Sequence, residues 1–194
     1  MKQDRKQRFR RGLKIGVALA VVGAVAGGLV GWSLDRAGYT VTANLTPSVP
    51  VGLYLSDANQ QDADRGKLVA FYPHNEAAQY AFQRGWMKPG SVYVKRVAAV
   101  AGDMVCADKE LTVRTQGVGE TAAFVRVGEI AETDHDGQPL PHVLSGCSRV
   151  PEGYFLPVGD GVPNSYDGRY YGFVPVSAIE ANLRPLWTKS EPKE

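Results

Sequence analysis

From Ile15 to Leu34, "IGVALAVVGAVAGGLVGWSL", no position carries a charge. As a helix rising about 1.5 Å per residue, this run reaches about 30 Å, the thickness of a bilayer core. The pattern then switches to period two. Tyr39, Val41, Ala43 and Leu45 alternate with Thr40, Thr42, Asn44 and Thr46, which predicts a half-buried strand. Val51, Leu53 and Leu55 alternate again after Pro50, and Leu68 to Tyr72 is a short apolar run ending at Pro73, both strand-like. Asn75 to Arg84 is the clear helix of this part: Asn75 caps its start, Glu76 suits its first turn and Gly85 ends it. Pro89-Gly90 turns the chain into the β-branched "SVYVKRVAAV", and "ELTVRT", "AAFVRVGEI" and "GYFLPVG" read as further strands. Glu132 to Pro141 is polar and turn-rich, an exposed hairpin loop or insertion. "YYGFVPVSAIEANLRPLW" is apolar again, and "TKSEPKE" is a solvated tail. With Gly 22, Pro 12 and no internal repeat, the pattern predicts a mostly β domain with irregular connections and one short helix, behind a single N-terminal transmembrane helix. The boundaries follow: a basic segment 1–14, an anchor 15–34, a β domain 35–187 with a small subdomain or insertion at about 104–150, and a tail 188–194.

Charge sharpens the first part. The 194 residues carry a formal +2, which makes no case for nucleic acid. But Lys2, Arg5, Lys6, Arg8, Arg10, Arg11 and Lys14 crowd the start against a lone Asp4. Such a cluster stays in the cytoplasm, places Trp32 near the opposite interface and sends everything after Leu34 outside. The competing reading is a signal peptide cut after Ala26, since Ala24-Val25-Ala26 precedes Gly27. The apolar run continues well past that point, which favours a retained anchor; both readings export the same domain. Gly23, Gly27 and Gly31 fall on one helix face, a spacing that lets a partner helix approach closely. Outside the cytoplasm the two cysteines, Cys106 and Cys147, form a candidate disulfide. With no CxxC and three histidines, neither zinc nor any other metal is expected.

The candidate chemistry begins at "TPSVPVGLY", where Ser48 sits between Pro47 and Pro50. A serine needs a base to take its proton and donors to hold the oxyanion that forms. His74, His135 and His142 all lie in turn-like segments, and no serine has a GxSxG elbow. A lysine near its ordinary pKa of about 10.4 is protonated, but burial lowers that value by several units. Lys95 sits among Val92, Tyr93, Val94, Val97 and Ala98. On a strand, Tyr93, Lys95 and Val97 share one face and Arg96 points to the other. Spacing alone does not decide whether the head of Lys95 is buried or in water.

"TPSVPVGLY", "VKRVAAVAGD" and "NSYDGRYYGFVP" occur in that order, and together they resemble the bacterial type I signal peptidases, most closely the TraF-type conjugal-transfer peptidases that process pilin. The resemblance covers most of the exported part and is weakest from about Met104 to Val150. It implies a signal-peptidase-like β-fold and a membrane-anchored serine peptidase with its catalytic domain in the periplasm, held at the bacterial inner membrane. It implies Ser48 as nucleophile and Lys95 as general base, with the Ser48 N–H and the Thr46 hydroxyl as oxyanion donors. Ser165 would orient the lysine amine, and Asp167 and Arg169 would form a supporting ion pair. No cofactor is implied. It implies as substrate a propilin, left linear or closed head to tail, or, alternatively, any preprotein bearing a signal peptide; a third reading is an inactive structural component of a secretion apparatus. Three departures stand out. Gly159-Asp160-Gly161 replaces the usual GDN, Gly168 replaces a serine, and Gly66-Lys67 replaces Gly-Asp.

Overall fold

A computed structural model describes residues 2–117 and 123–189, with side chains of residues 2–15 and 18 left aside. The basic side chains of the first segment, Ala122 of "AAFVRVGEI" and the tail beyond Lys189 therefore lie outside the described residues. The chain forms two compact units, one up to Thr40 and one from Val41 onward.

The first unit is helix α1, Lys2–Arg36. It runs through the basic segment and the apolar run without a break, and it ends where Gly38 takes a positive φ of 81°. Its stretch Leu19–Arg36 is long and apolar enough to cross a bilayer, and no part of it is buried in the protein. A Cβ at Gly23, Gly27 or Gly31 would meet nothing within 4 Å.

The second unit is mostly β. The strands, the first of which begins in the last two residues of the first unit, are β1 Tyr39–Asn44, β2 Gly52–Asp57, β3 Leu68–Phe71 and β4 Tyr93–Val100, then β5 Met104–Ala107, β6 Glu110–Arg114, β7 Val125–Glu129 and β8 Gly146–Arg149, and finally β9 Tyr154–Val158, β10 Val174–Pro175 and β11 Ile179–Thr188. Seven strands form one sheet in the order β1-β2-β11-β3-β4-β9-β10, and four form a second in the order β7-β6-β5-β8. The second sheet falls wholly within 104–150, the stretch read as a small subdomain or insertion and where the resemblance is weakest. Cys106 and Cys147 lie directly opposite each other on β5 and β8 and are joined by a disulfide.

Helix α2, Glu76–Gln83, starts where the Asn75 side chain accepts from the Ala78 N–H at 2.7 Å. A second helix not anticipated from the pattern, α3 (Gly168–Tyr171), is a single turn capped by Asp167. A 3₁₀ turn, Val176–Ala178, follows it. One core cluster packs Val69, Phe71, Ala78, Ala81, Tyr93, Val97, Phe155 and Tyr171 between the large sheet and α2. Another joins the two sheets through Ala99, Val105, Leu111, Val113, Leu156 and Val158. The Glu132–Pro141 loop is held on α2, because Asp134 accepts from both the Nε and the Nη2 of Arg84, at 3.1 and 2.6 Å.

Two strands turn the opposite face inward from the one their aliphatic residues suggest. On β1 the inward residues are Thr42 and Asn44, and Val41 is exposed. On β2 the buried residues are Gly52, Tyr54 and Ser56, and Leu53 is exposed. The reason is polar pairing. The Thr42 and Ser56 hydroxyls hydrogen-bond at 2.5 Å, and Asn44 satisfies several backbone groups of the next loop. Tyr54 supplies the apolar bulk, packing with Val49, Leu68, Ala70 and Leu183.

Candidate active site

The loop between β1 and β2 carries Ser48. Pro47 fixes its own φ and pushes Thr46 toward an extended conformation, and Pro50 does the same to Val49. Val49 is fully buried and pins the loop to the core below. The Tyr54 hydroxyl donates to the Pro50 carbonyl. The Gly161 N–H donates to the Ser48 carbonyl at 3.0 Å. The Ser48 Oγ and the Thr46 Oγ1 lie 3.4 Å apart, so both hydroxyls point to one side of the loop.

Asn44, at the end of β1, was not picked out by the sequence pattern, yet it organises this loop. Its Nδ2 donates to the carbonyls of Thr46 at 2.8 Å, Val49 at 3.1 Å and Pro50 at 3.2 Å. Its Oδ1 accepts from the Thr46 hydroxyl at 2.9 Å and from the Thr46 N–H at 3.3 Å. The only trace of this in the sequence is a polar residue two positions before a threonine, which reads as solvent-facing.

Strand β4 delivers Lys95. Its residues alternate strictly, with Tyr93, Lys95, Val97 and Ala99 buried and Val94, Arg96, Ala98 and Val100 less so. The ammonium head follows its stem into the interior, 6.0 Å from the centre of the Tyr93 ring. Nζ donates to the Ser165 Oγ at 2.8 Å. Burial lowers the Lys95 pKa to about 8; Asp167 pulls it up and Arg169 pushes it down, both more weakly. Arg96, on the other face, pairs with Asp160 at 2.5 Å and donates to the Gly66 carbonyl at 2.7 Å.

Ser165 is itself braced. Arg169 donates to both oxygens of Asp167 at 2.9 Å, and the pair is buried. The same guanidinium donates to the carbonyls of Ser165, Pro163 and Glu129. Asp167 also accepts from the Gly159 N–H at 2.8 Å. Burying both charges is expensive unless each is fully hydrogen-bonded, and these contacts meet that requirement.

Glycines let these pieces meet. A Cβ on Gly159 would lie 2.1 Å from the Ser165 Oγ and 2.7 Å from the Ser48 carbonyl oxygen. The Ser48 loop and the Lys95–Ser165 pair therefore converge on one point of bare backbone. A Cβ on Gly161 would lie 2.0 Å from the Pro47 carbonyl, and one on Gly168 would lie 2.6 Å from the Pro157 carbonyl. Two of the departures from the familiar pattern thus have local steric reasons. The third, Lys67, is half-buried and pairs with Asp62 at 2.9 Å and Asp64 at 2.7 Å.

The residues singled out in the sequence fall into two places. Thr46, Ser48, Lys95, Ser165, Asp167 and Arg169 belong to this one region of the large sheet. The Cys106–Cys147 bridge belongs to the small sheet. Among the described residues there is no cluster of side chains able to hold a metal ion. Chemically, the arrangement offers a serine hydroxyl on a rigid loop, a second hydroxyl beside it, and a buried amine whose neutral form is accessible near neutral pH.

Residues 13–187 match the family described as "Signal peptidase, peptidase S26". The "Conjugal transfer protein TraF" of Agrobacterium fabrum is 32% identical over 182 residues, 90% of this chain and 93% of that protein. The "Plasmid transfer protein TraF" of Escherichia coli is 29% identical over 192 residues, 95% and 99% of the two chains. A "Probable signal peptidase I-2" of Synechocystis is 28% identical over 115 residues, 59% of this chain and 44% of that protein.

Proposed function

The chain belongs to the signal peptidase family, peptidase S26, and from that premise we propose that it is a membrane-anchored endopeptidase whose catalytic pair is Ser48 and Lys95. That it is a serine peptidase of the signal-peptidase kind follows from the family. The observation that carries the finer reading is the buried Lys95 amine, hydrogen-bonded to Ser165 with its pKa lowered to about 8. At pH 7 roughly one such amine in ten is neutral, against fewer than about one in a thousand at an ordinary lysine pKa.

Neutral Lys95 takes the Ser48 proton as Oγ attacks the scissile carbonyl. The Ser48 N–H and the Thr46 hydroxyl stabilise the resulting oxyanion. The Lys95 ammonium returns the proton to the leaving amine, and Ser48 is left as an acyl ester. A second nucleophile, water or an amine, then releases the acyl group and restores the serine. Ser165 keeps the amine aimed during both transfers, and the Asp167–Arg169 pair fixes Ser165. The substrate lies alongside as an added strand, with small residues before the cut.

Relatives named for conjugal and plasmid transfer support a conjugative pilin precursor as the substrate, with head-to-tail cyclisation when the pilin's own amino terminus resolves the acyl-enzyme. The lysine- and arginine-rich start ahead of the apolar helix supports a cytoplasmic N-terminus and a periplasmic catalytic domain. Co-expression with a candidate pilin precursor, read by intact mass, tests the whole reading. A product one water lighter than the linear mature peptide means cyclisation, and a linear product means hydrolysis. Ser48→Ala and Lys95→Ala are expected to leave the precursor uncut. Processing that survives Ser48→Ala overturns the assignment. Precursor left intact by the wild-type chain, while unrelated signal peptides are removed, points instead to a general signal peptidase.

A further inference from the structure

We propose that Asn44 is a positioning residue for the Thr46 hydroxyl, holding that oxygen beside Ser48 while parking its proton on the amide until the oxyanion forms. This deepens the reading above and rests on it.

Asn44 is buried, and its orientation is forced. The carbonyls of Thr46, Val49 and Pro50 can only accept, so the amide nitrogen faces them. Oδ1 therefore faces Thr46 and can only accept. The single proton of the Thr46 hydroxyl is committed to Oδ1 at 2.9 Å. In the resting site the Thr46 oxygen consequently turns its lone pairs, not its proton, toward the Ser48 Oγ at 3.4 Å.

That arrangement suits a donor needed only in the transition state. A neutral amide oxygen is a weaker acceptor than an anion, and charge-assisted hydrogen bonds are roughly twice as strong as neutral ones. When the carbonyl oxygen of the substrate becomes an oxyanion, it outcompetes Oδ1. The Thr46 proton swings over by rotation about the Cβ–Oγ1 bond, and the oxygen does not move. The Thr46 N–H bond to the same Oδ1 at 3.3 Å keeps the residue in place throughout. An interaction made only in the transition state raises turnover rather than ground-state binding.

The test uses the full chain in detergent micelles with p-nitrophenyl acetate, a small acyl donor that needs no knowledge of the natural substrate. Acetylation of Ser48 is followed by peptide mass across pH, with Ser48→Ala and Lys95→Ala as controls. If acetylation at that position proceeds as fast in Lys95→Ala as in the wild type, the catalytic reading fails. If the control behaves and Asn44→Ala acetylates at the wild-type rate, only the present inference fails.

The expected result is a fall of about 10-fold or more in Asn44→Ala, with the midpoint of the pH profile unchanged because the Ser48–Lys95 pair is intact. In a Thr46→Val background, where no hydroxyl remains to be held, the same change should cost far less. An equal cost in both backgrounds, or a displaced midpoint, overturns the proposal and leaves Asn44 as a brace of the loop backbone. Asn44→Asp, of the same size, carries the test should the alanine variant not fold. Its carboxylate loses the three donor contacts and grips the Thr46 proton harder, so it should be at least as slow, with the same dependence on Thr46; a wild-type rate overturns the proposal.

Discussion

At the scale of single residues, the role proposed for Lys95 sets opposing demands on stability and activity. Its unfolded pKa is about 10.5 and its folded value about 8. Below pH 8 both states hold the proton, and the fold bears a buried ammonium. Between pH 8 and 10.5 the unfolded chain binds the extra proton, so stability rises with pH across that window. At 1.36 kcal/mol per pKa unit, the charged amine costs the fold up to about 3 kcal/mol at neutral pH. Lys95→Met should therefore melt higher than the wild type at pH 7 while losing all activity. The gap should close as the pH approaches 10, and a melting curve unchanged at both pH values would count against a buried amine. With acylation limiting, the wild-type rate should climb with pH to a plateau, with its midpoint near 8. The two-residue period had put Lys95 on the face of Tyr93 and Val97, but it could not say that this face is closed over by Ser165 and the α3 turn. Those arrive from a segment 70 residues away. Asn44 was less legible still, because an asparagine among threonines in an alternating strand reads as surface.

At the scale of elements, alternation located β1, β2 and β4 but left open which face of each is covered. Period two divides a strand into two faces without saying which is covered. On β1 and β2, hydrogen-bonding partners and Tyr54 decide it against Val41, Leu45 and Leu53. Strand β11 was hidden for a different reason. Pro185 ordinarily demotes a strand, yet here it sits where the pairing with β2 slips between Pro185 and Trp187, and the strand continues across the irregularity to Thr188. The small sheet was expected as a small subdomain or insertion with β6 and β7 among its strands; β5 and β8 were not read, since they are short and the core they share is completed by Ala99, Leu156 and Val158 of the large sheet. Its disulfide closes a loop of 41 residues, for which the chain-entropy estimate is about 4 kcal/mol. Reduction, or Cys106→Ala with Cys147→Ala, should lower the melting temperature by on the order of 10 °C. Amide exchange should quicken first in β5 and β8, which the bridge joins, and much less in β3 and β4. Uniform exchange with an unchanged melt would mean that the bridge adds nothing to the fold.

At the scale of the whole molecule, the question is what the N-terminal helix contributes. Every residue of the three buried clusters lies at Val49 or beyond, and the residues from Val41 form a compact unit of their own. Among the described residues, the buried clusters therefore include none of α1, and its stretch Leu19–Arg36 is exposed. A chain starting at Ala37 keeps β1 whole, with Asn44 and the Ser48 loop attached, and should fold. It should melt within a few degrees of the full chain and acetylate Ser48 with p-nitrophenyl acetate at a similar rate and with the same pH midpoint. Processing of a membrane-held precursor should behave differently. An anchor that confines enzyme and substrate to one membrane makes their encounter nearly intramolecular, and effective concentrations of that kind reach the millimolar range for short tethers. The segment from Asp35 to Pro47 reaches at most about 45 Å when fully extended, so the serine of an anchored chain searches only a thin layer above the bilayer. Without α1, cleavage of the precursor in cells should fall by one or more orders of magnitude, while the small-probe rate stays unchanged. Equal loss of both activities would mean that the helix supports the fold of the catalytic unit. Equal retention would mean that the substrate is met in solution.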